Sequence, residues 1–321
     1  MAAEMSMISQ ASQAPHSEIA WQNGQLLPRK ELGVSPGDAG FVLGATVTEQ
    51  LRTIRGELFL PDAHAERLAG SLAAIGIEPG QSLNEIFAAA ATVASHNHAL
   101  LTATTTPAAA DLGLVIFVTP GDLASQHEGR AGRPSTTIHT FPLATKLWAA
   151  AYTTGVSLRC VSVEQVPASC WPVAAKVRSR LHYFLAEREA AALEPGARPL
   201  LAYADGRISE TSTANLAIVC GTTIITPPTT DALGGTSLGF LRQLTEQAGF
   251  SWQARSLRRD ELLQADEILL TSTPWCLQAA VHLDGIAIGE GTPGPCYRQL
   301  LQAWSDAVGL DIVGQAQGEL A

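Results

Sequence analysis

Hydrophobic and polar positions along this chain follow two periods, and the places where one gives way to the other mark its elements. Ile19 to Trp21 and Gln25 to Leu27 flank Asn23-Gly24, a pair that suits a two-residue type I′ turn, so the segment reads as a β-hairpin. Val47 to Ile54 reads as a strand, Arg55-Gly56 turns it, and Leu58 to Leu60 returns. Pro61-Asp62 then opens a helix in which Leu68, Leu72 and Ile75 recur at helical spacing, and a second helix is expected over Leu83 to Ala94. Leu112 to Thr119 is an apolar strand ended by Pro120-Gly121, and the polar stretch 122–134 reads as a surface loop.

The pattern loosens around Phe141-Pro142 to Trp148 and then resumes. Strands are expected over Val156 to Val163, on either side of the Asp205-Gly206 turn, and over Ile268 to Thr271. Leu216 to Cys220 and Thr223 to Thr226 form a further hairpin. Helices are expected over Arg178 to Leu193, Leu238 to Ala248 and Pro295 to Val308. The many hairpins predict a mixed α/β (α+β) chain rather than the strict β-α alternation of a doubly wound sheet. At 321 residues two domains are expected: a disordered tail over 1–17, a first domain over 18–142, a linker over 143–149 and a second domain over 150–321.

Composition narrows the function classes. A net charge of −10 with no basic stripe argues against nucleic acid as a partner. No apolar stretch is long enough for a membrane span, and the N-terminus lacks the pattern of a secretory signal. The five scattered cysteines form no CxxC pair and suit a reducing compartment, so a cytoplasmic protein is expected. His96-x-His98 has metal-like spacing, but no acid or cysteine cluster joins it; it reads as a helix-end pair, and no metal site is expected.

The most informative count is small. Lysine occurs only at 30, 146 and 176, against seventeen arginines. Chemistry that forms a Schiff base needs an amine that can be neutral near pH 7, which arginine cannot supply. Lys30 lies between Arg29 and Glu31, and Lys146 in the linker. Lys176 follows the apolar run Trp171-Pro172-Val173-Ala174-Ala175 at the expected start of a helix. Burial and a helix N-terminus would both disfavour its ammonium.

Lys176-Val-Arg-Ser-Arg-Leu-His-Tyr-Phe-Leu-Ala-Glu-Arg-Glu-Ala190, followed by Ile208-Ser-Glu-Thr-Ser-Thr-Ala-Asn-Leu216, resembles the class IV aminotransferase family. That family includes branched-chain and D-amino-acid aminotransferases and aminodeoxychorismate lyases. Asp38-Ala-Gly-Phe-Val-Leu-Gly44, Glu49 and His64-Ala-Glu-Arg-Leu68 look like its first domain, and the resemblance runs from about Ile19 to about Ala303. It implies a fold type IV enzyme, with a smaller N-terminal α/β domain and a larger, hairpin-rich pseudo-barrel domain. It also implies a pyridoxal 5′-phosphate cofactor carried as a Schiff base on Lys176.

The same resemblance implies the other roles. Glu210 would pair with the pyridine nitrogen, supported by Asn215. Arg67 would supply charge to the phosphate, and Gly235, Thr236 and Ser237 would bind it where glycines open a helix. Thr273 would add a hydroxyl. Arg180, expected one helical turn from Lys176, is the better candidate for a substrate carboxylate, with Arg178 the other; His64 reads as structural.

The chain departs from family patterns at three places. Val118-Thr119-Pro120-Gly121 lacks the arginine of D-amino-acid enzymes, Leu181 replaces the tyrosine of branched-chain enzymes, and Leu238 stands where arginine is common. The expected activity is transfer of an amino group from an amino acid to a 2-keto acid, by a homodimer. A lyase on the same fold, or a binding protein that has lost turnover, are the alternatives.

Overall fold

The computed structural model describes residues 17–130 and 132–319, so the expectation of a disordered tail falls almost wholly outside the described residues. The first sheet has six strands: β1 (Ile19–Gln22), β2 (Gln25–Pro28), β3 (Val47–Ile54), β4 (Glu57–Leu58), β5 (Leu112–Thr119) and β6 (Ser135–Pro142). Their order is β2-β1-β6-β5-β3-β4, with antiparallel pairing throughout. Asn23 and Gly24 both take positive φ, as the expected turn requires.

Three helices accompany this sheet: α1 (Ala39–Val42), α2 (Pro61–Ile75) and α3 (Leu83–Thr102). Leu68 and Leu72 of α2 and Ile86, Ala90 and Val93 of α3 pack on Val47, Leu51, Leu114 and Ile116 in one buried cluster. A capping box between Ser82 and Glu85 starts α3. The helix runs eight residues beyond the expected end, because the alanine-rich stretch contains no breaker and Asn97 bonds β1 and Thr140 from its inner face. His96 and His98 therefore lie within the last turns of α3.

The second half begins with the short α4 (Ala151–Thr154) and β7 (Val156–Cys160), then α5 (Leu181–Leu193), β8 (Arg198–Ala202), β9 (Ile208–Thr211), β10 (Asn215–Cys220) and β11 (Thr223–Thr226). It continues through α6 (Thr236–Gln247), β12 (Ser251–Ala254), α7 (Arg259–Leu263), β13 (Glu267–Ser272), β14 (Cys276–Leu283) and β15 (Ile286–Ala287). It closes with α8 (Pro295–Val308) and α9 (Ile312–Gln317). These nine strands form one sheet in the order β12-β11-β10-β13-β14-β7-β8-β9, with β15 paired to β14. Its core centres on the fully buried Trp304 and Tyr297 of α8, packed with Leu216, Leu269 and Leu277 of the sheet.

The polar positions of β6 and β12 conceal two strands from a periodicity reading, and β14 is hidden because Gln278 and His282 interrupt its apolar run without strict alternation. One expected boundary is wrong in a way that matters. Helix α5 starts at Leu181, not at Arg178, so Lys176 does not open a helix. Residues 176–178 are held extended along β3 instead: Thr48 N donates to Lys176 O at 2.9 Å and Arg178 N to Thr46 O at 2.9 Å. A backbone committed to those two bonds cannot also wind into a helical turn.

Arg52, on β3, joins the two halves from a fully buried position. Its Nη1 donates to Pro274 O at 3.0 Å and its Nη2 to Gln315 Oε1 at 2.6 Å. Gln315 in turn donates to Asp111 at 2.8 Å. Among the described residues no helix is long and apolar enough to cross a membrane.

Candidate active site

Lys176 lies in a cavity of about 400 Å³ whose walls come from both halves of the chain. All nine candidates, Lys176, Arg67, Glu210, Asn215, Gly235, Thr236, Ser237, Thr273 and Arg180, line this one cavity, together with Arg178. They derive from α2, the segment before α5, β9, β10, the start of α6 and the turn after β13. Proximity in space is therefore created by the fold, since Arg67 and Thr273 are far apart in sequence.

The lysine is fixed through its backbone. Besides the bond to β3, its N–H donates to Ser71 Oγ of α2 at 3.1 Å. Burial, then the charge of Arg67, brings its amine down to about 8. A neutral fraction of roughly a tenth thus exists at pH 7, far above that of an ordinary lysine, as a nucleophilic amine requires. The expected contribution of a helix N-terminus falls away, because α5 begins five positions later.

Glu210 closes the opposite side of the chemistry. It is buried on β9, and burial raises its carboxyl above the ordinary value against the opposing pull of Tyr183 and Lys176. Both of its oxygens are occupied. Tyr183 Oη donates to Oε1 at 2.7 Å, and Asn215 Nδ2 donates to Oε2 at 2.9 Å and to Leu233 O at 2.8 Å. Gly235 must be glycine here, since a Cβ would stand 1.9 Å from Asn215 Oδ1.

Helix α6 presents its N-terminus to the cavity, with Gly235 as the cap and Thr236 and Ser237 in the first turn. The first N–H groups of a helix lack intrahelical partners and favour an anion. Ser237 Oγ and Thr271 Oγ1 are buried and have no hydrogen-bond partner among the described residues. A phosphate would satisfy unpaired donors of this kind. The residues present therefore fit a phosphorylated aldehyde: amine, carboxylate and anion cradle share one cavity.

Arg67 is placed differently from the simple expectation. Its guanidinium forks onto Glu49, with Nε donating to Oε1 at 2.8 Å and Nη2 to Oε2 at 2.7 Å, while Nη1 donates to Gly234 O at 3.2 Å. His64 adds to the same carboxylate, Nδ1 to Oε2 at 2.7 Å, and its Nε2 lies 3.3 Å from Thr236 Oγ1. His64 and Arg67 are three residues apart on α2, which puts them on one face. Burial pulls the Glu49 carboxyl up, but Arg67 and His64 overcome it and bring it down to about 2.

Arg180 sits at the N-cap of α5, not on a shared helix with Lys176. Its Nη2 donates to Ser212 O, and its guanidinium lies 4.6 Å from the centre of the Tyr183 ring. Neither Arg178 nor Arg180 forms an ion pair among the described residues, whereas the guanidinium of Arg67 is committed to Glu49. Sequence reasoning missed Tyr183 and Gln165. Tyr183 lies on the cavity side of α5 among residues of no fixed pattern, and Gln165 comes from an irregular stretch with no periodicity to flag it.

Because the folded value of Glu49 lies below that of an unfolded glutamate (about 4.3), its pairing adds stability that is complete above that pH and is lost as pH falls towards about 2. Urea unfolding from pH 5 to 2.5 is expected to show this acid loss in the wild type and a shallower loss in Glu49→Gln. Equal slopes would mean that the pairing contributes nothing.

Comparison with known proteins agrees with this geometry. A family model described as amino-transferase class IV matches residues 46–282. The D-alanine aminotransferase of Bacillus licheniformis is 29% identical over 288 residues, covering 89% of this chain and 95% of that protein. The branched-chain-amino-acid aminotransferase of Escherichia coli K12 is 26% identical over 294 residues, covering 90% and 92%. The crystal structure of an E. coli branched-chain amino acid aminotransferase superposes with a TM-score of 0.80 at 23% identity, covering 90% of this chain and 94% of that one. That of the Thermoproteus uzoniensis enzyme with norvaline gives 0.77 at 24% identity, covering 91% and 95%. With the family model spanning most of both sheets and the fold shared over about nine-tenths of the chain, this chain belongs to the class IV aminotransferases, pyridoxal-phosphate-dependent transaminases of fold type IV.

Proposed function

We propose that the protein transfers the amino group of an amino acid to a 2-keto acid, with Lys176 as the residue that holds pyridoxal 5′-phosphate and moves the proton. The observation that carries this reading is an amine brought down to about 8 in the same cavity as a buried carboxylate and a helix N-terminus with an unpaired hydroxyl. Arg67, Gly235, Thr236, Ser237 and Thr273 would hold the phosphate, and Glu210, braced by Asn215, the ring nitrogen. When bound, the cofactor supplies a conjugated ring that takes up the electron pair left at the substrate's Cα.

The residues supply the rest. Lys176 Nζ would take the proton from the substrate's Cα and hold it for transfer, acting as general base and then general acid. Glu210, kept an acceptor by Tyr183, Asn215 and the Leu233 backbone, would hold a proton on the ring nitrogen. Arg180, with Arg178 beside it, faces the cavity without a carboxylate partner and suits the carboxylate of the substrate. The protein is assigned to the cytoplasm, in keeping with five free cysteines.

A second copy of the chain completes the proposal. Phe41, Leu43, Leu181 and Phe184 are large apolar residues exposed to more than half their area. Their two segments are tied by Ser179 Oγ, which donates to Gly44 O at 2.7 Å. An apolar patch beside the cavity is what an interface between copies needs.

Mixing the yellow holoenzyme with a panel of L- and D-amino acids, without keto acid, is expected to bleach it to the pyridoxamine form with one keto acid released per site. Adding a 2-keto acid restores the colour. Pyruvate release with the colour unchanged would instead mark a lyase.

Light scattering is expected to give the mass of a dimer, and Phe41→Asp with Leu181→Asp to give that of a monomer. A wild-type monomer contradicts the assembly.

A further inference from the structure

The Glu210 carboxylate is the end point of a chain of hydrogen bonds whose direction can be read off atom by atom. Val166 N–H donates to Gln165 Oε1 at 2.9 Å, which fixes which end of that side-chain amide is oxygen. Gln165 Nε2 is then the donor, and it reaches Tyr183 Oη at 3.1 Å and Ser209 Oγ at 2.9 Å. Ser209 passes its own proton to Asp231 O at 2.6 Å. With Gln165 donating to its oxygen, the phenol directs its one proton to Glu210 Oε1, at 2.7 Å.

We propose that Tyr183 is a positioning residue, oriented by Gln165, that keeps Glu210 an acceptor aimed at the ring nitrogen of the cofactor. The proposal rests on the reading of Glu210 as that nitrogen's partner. A buried carboxylate without enough donors takes up a proton, and a neutral Glu210 cannot stabilise a protonated ring. Asn215 serves one oxygen and Tyr183 the other, and the Leu233 backbone adds a further donor, so Tyr183 is the titration-linked side-chain donor on its oxygen. Burial and the charge of Glu210 hold the phenol protonated, well above its ordinary range, so the donor persists across the working pH.

The groups around Glu210 separate cleanly in pH. Lys176 and Arg180 face it from the segment before α5, Tyr183 from α5 itself and Tyr203 from beyond β8. Of these, Lys176 governs the alkaline side, near 8. His64 and Glu49 lie at the phosphate end and are common to every variant compared, so they cancel in the difference.

The test is the affinity of the protein for pyridoxal phosphate, titrated by its visible absorption band from pH 4 to 8 in wild type, Tyr183→Phe, Gln165→Leu, the double variant and Glu210→Gln. Removing a hydrogen bond to a buried charge corresponds to about one to two pH units. The loss of a donor raises the carboxyl, so the acid limb of Tyr183→Phe should move up by about that amount. Gln165→Leu should move it less, and the double variant no further than Tyr183→Phe alone, since Gln165 acts only through the phenol. Gln165→Leu also carries the test if Tyr183→Phe fails to fold.

An acid limb of Tyr183→Phe that coincides with wild type, while Glu210→Gln changes the profile, overturns the proposal and leaves the functional reading intact. Additive shifts in the double variant also overturn it, since the two residues would then act separately. If Glu210→Gln itself leaves affinity and band unchanged, Glu210 is not the partner of the ring nitrogen and both readings fall.

Discussion

The burial of one amine organises this protein. Lys176 belongs in sequence to the second half of the chain, yet its backbone is bonded to β3 and α2 of the first. Taking an ammonium out of water is costly, and the cost appears as an amine brought down to about 8. That single placement makes the nitrogen a nucleophile. It also ties the segment before α5 to the first sheet, because β3 and α2 supply the bonds that hold residue 176. The fully buried Arg52, reaching from β3 to Pro274 and Gln315, secures the junction from the other side.

Charge around the amine is divided between two carboxylates with opposite fates. Glu49 is outnumbered by cationic and donor groups and stays ionised to about pH 2, tying down Arg67 and His64 beside the first turn of α6. Glu210 forms no ion pair among the described residues, so burial prevails and raises it against the pull of Tyr183, Lys176, the Leu233 backbone and Arg180, while Asn215 donates to its second oxygen. One carboxylate thus orders the side chains beside the first turn of α6, and the other stands within reach of the Lys176 charge. The two roles follow from surroundings, since the residue type is the same.

Much of this was legible in the sequence, and the reasons are local. Strands such as β3 and β11 and helices such as α2 and α8 carry clear periodicity with turn residues at their ends. The scarcity of lysine singles out position 176, and the family motifs point to Arg67, Glu210, Asn215 and residues 235–237, all of which line the one cavity. What was not legible depends on tertiary pairing. The start of α5 was set three residues too early because the competing partner of residues 176–178 is a strand more than a hundred positions upstream. Arg180 was assigned to a helical turn that does not exist, for the same reason. Tyr183 and Gln165 carry no local signal at all, since their function lies in the direction of a hydrogen bond between an irregular segment and a helix.

Reducing the holoenzyme with borohydride and mapping the modified peptide by mass spectrometry asks which nitrogen carries the cofactor. A single phosphopyridoxyl adduct on Lys176 is expected. An adduct on Lys30 or Lys146 with Lys176 unmodified, or a protein that takes up no cofactor to reduce, would contradict it.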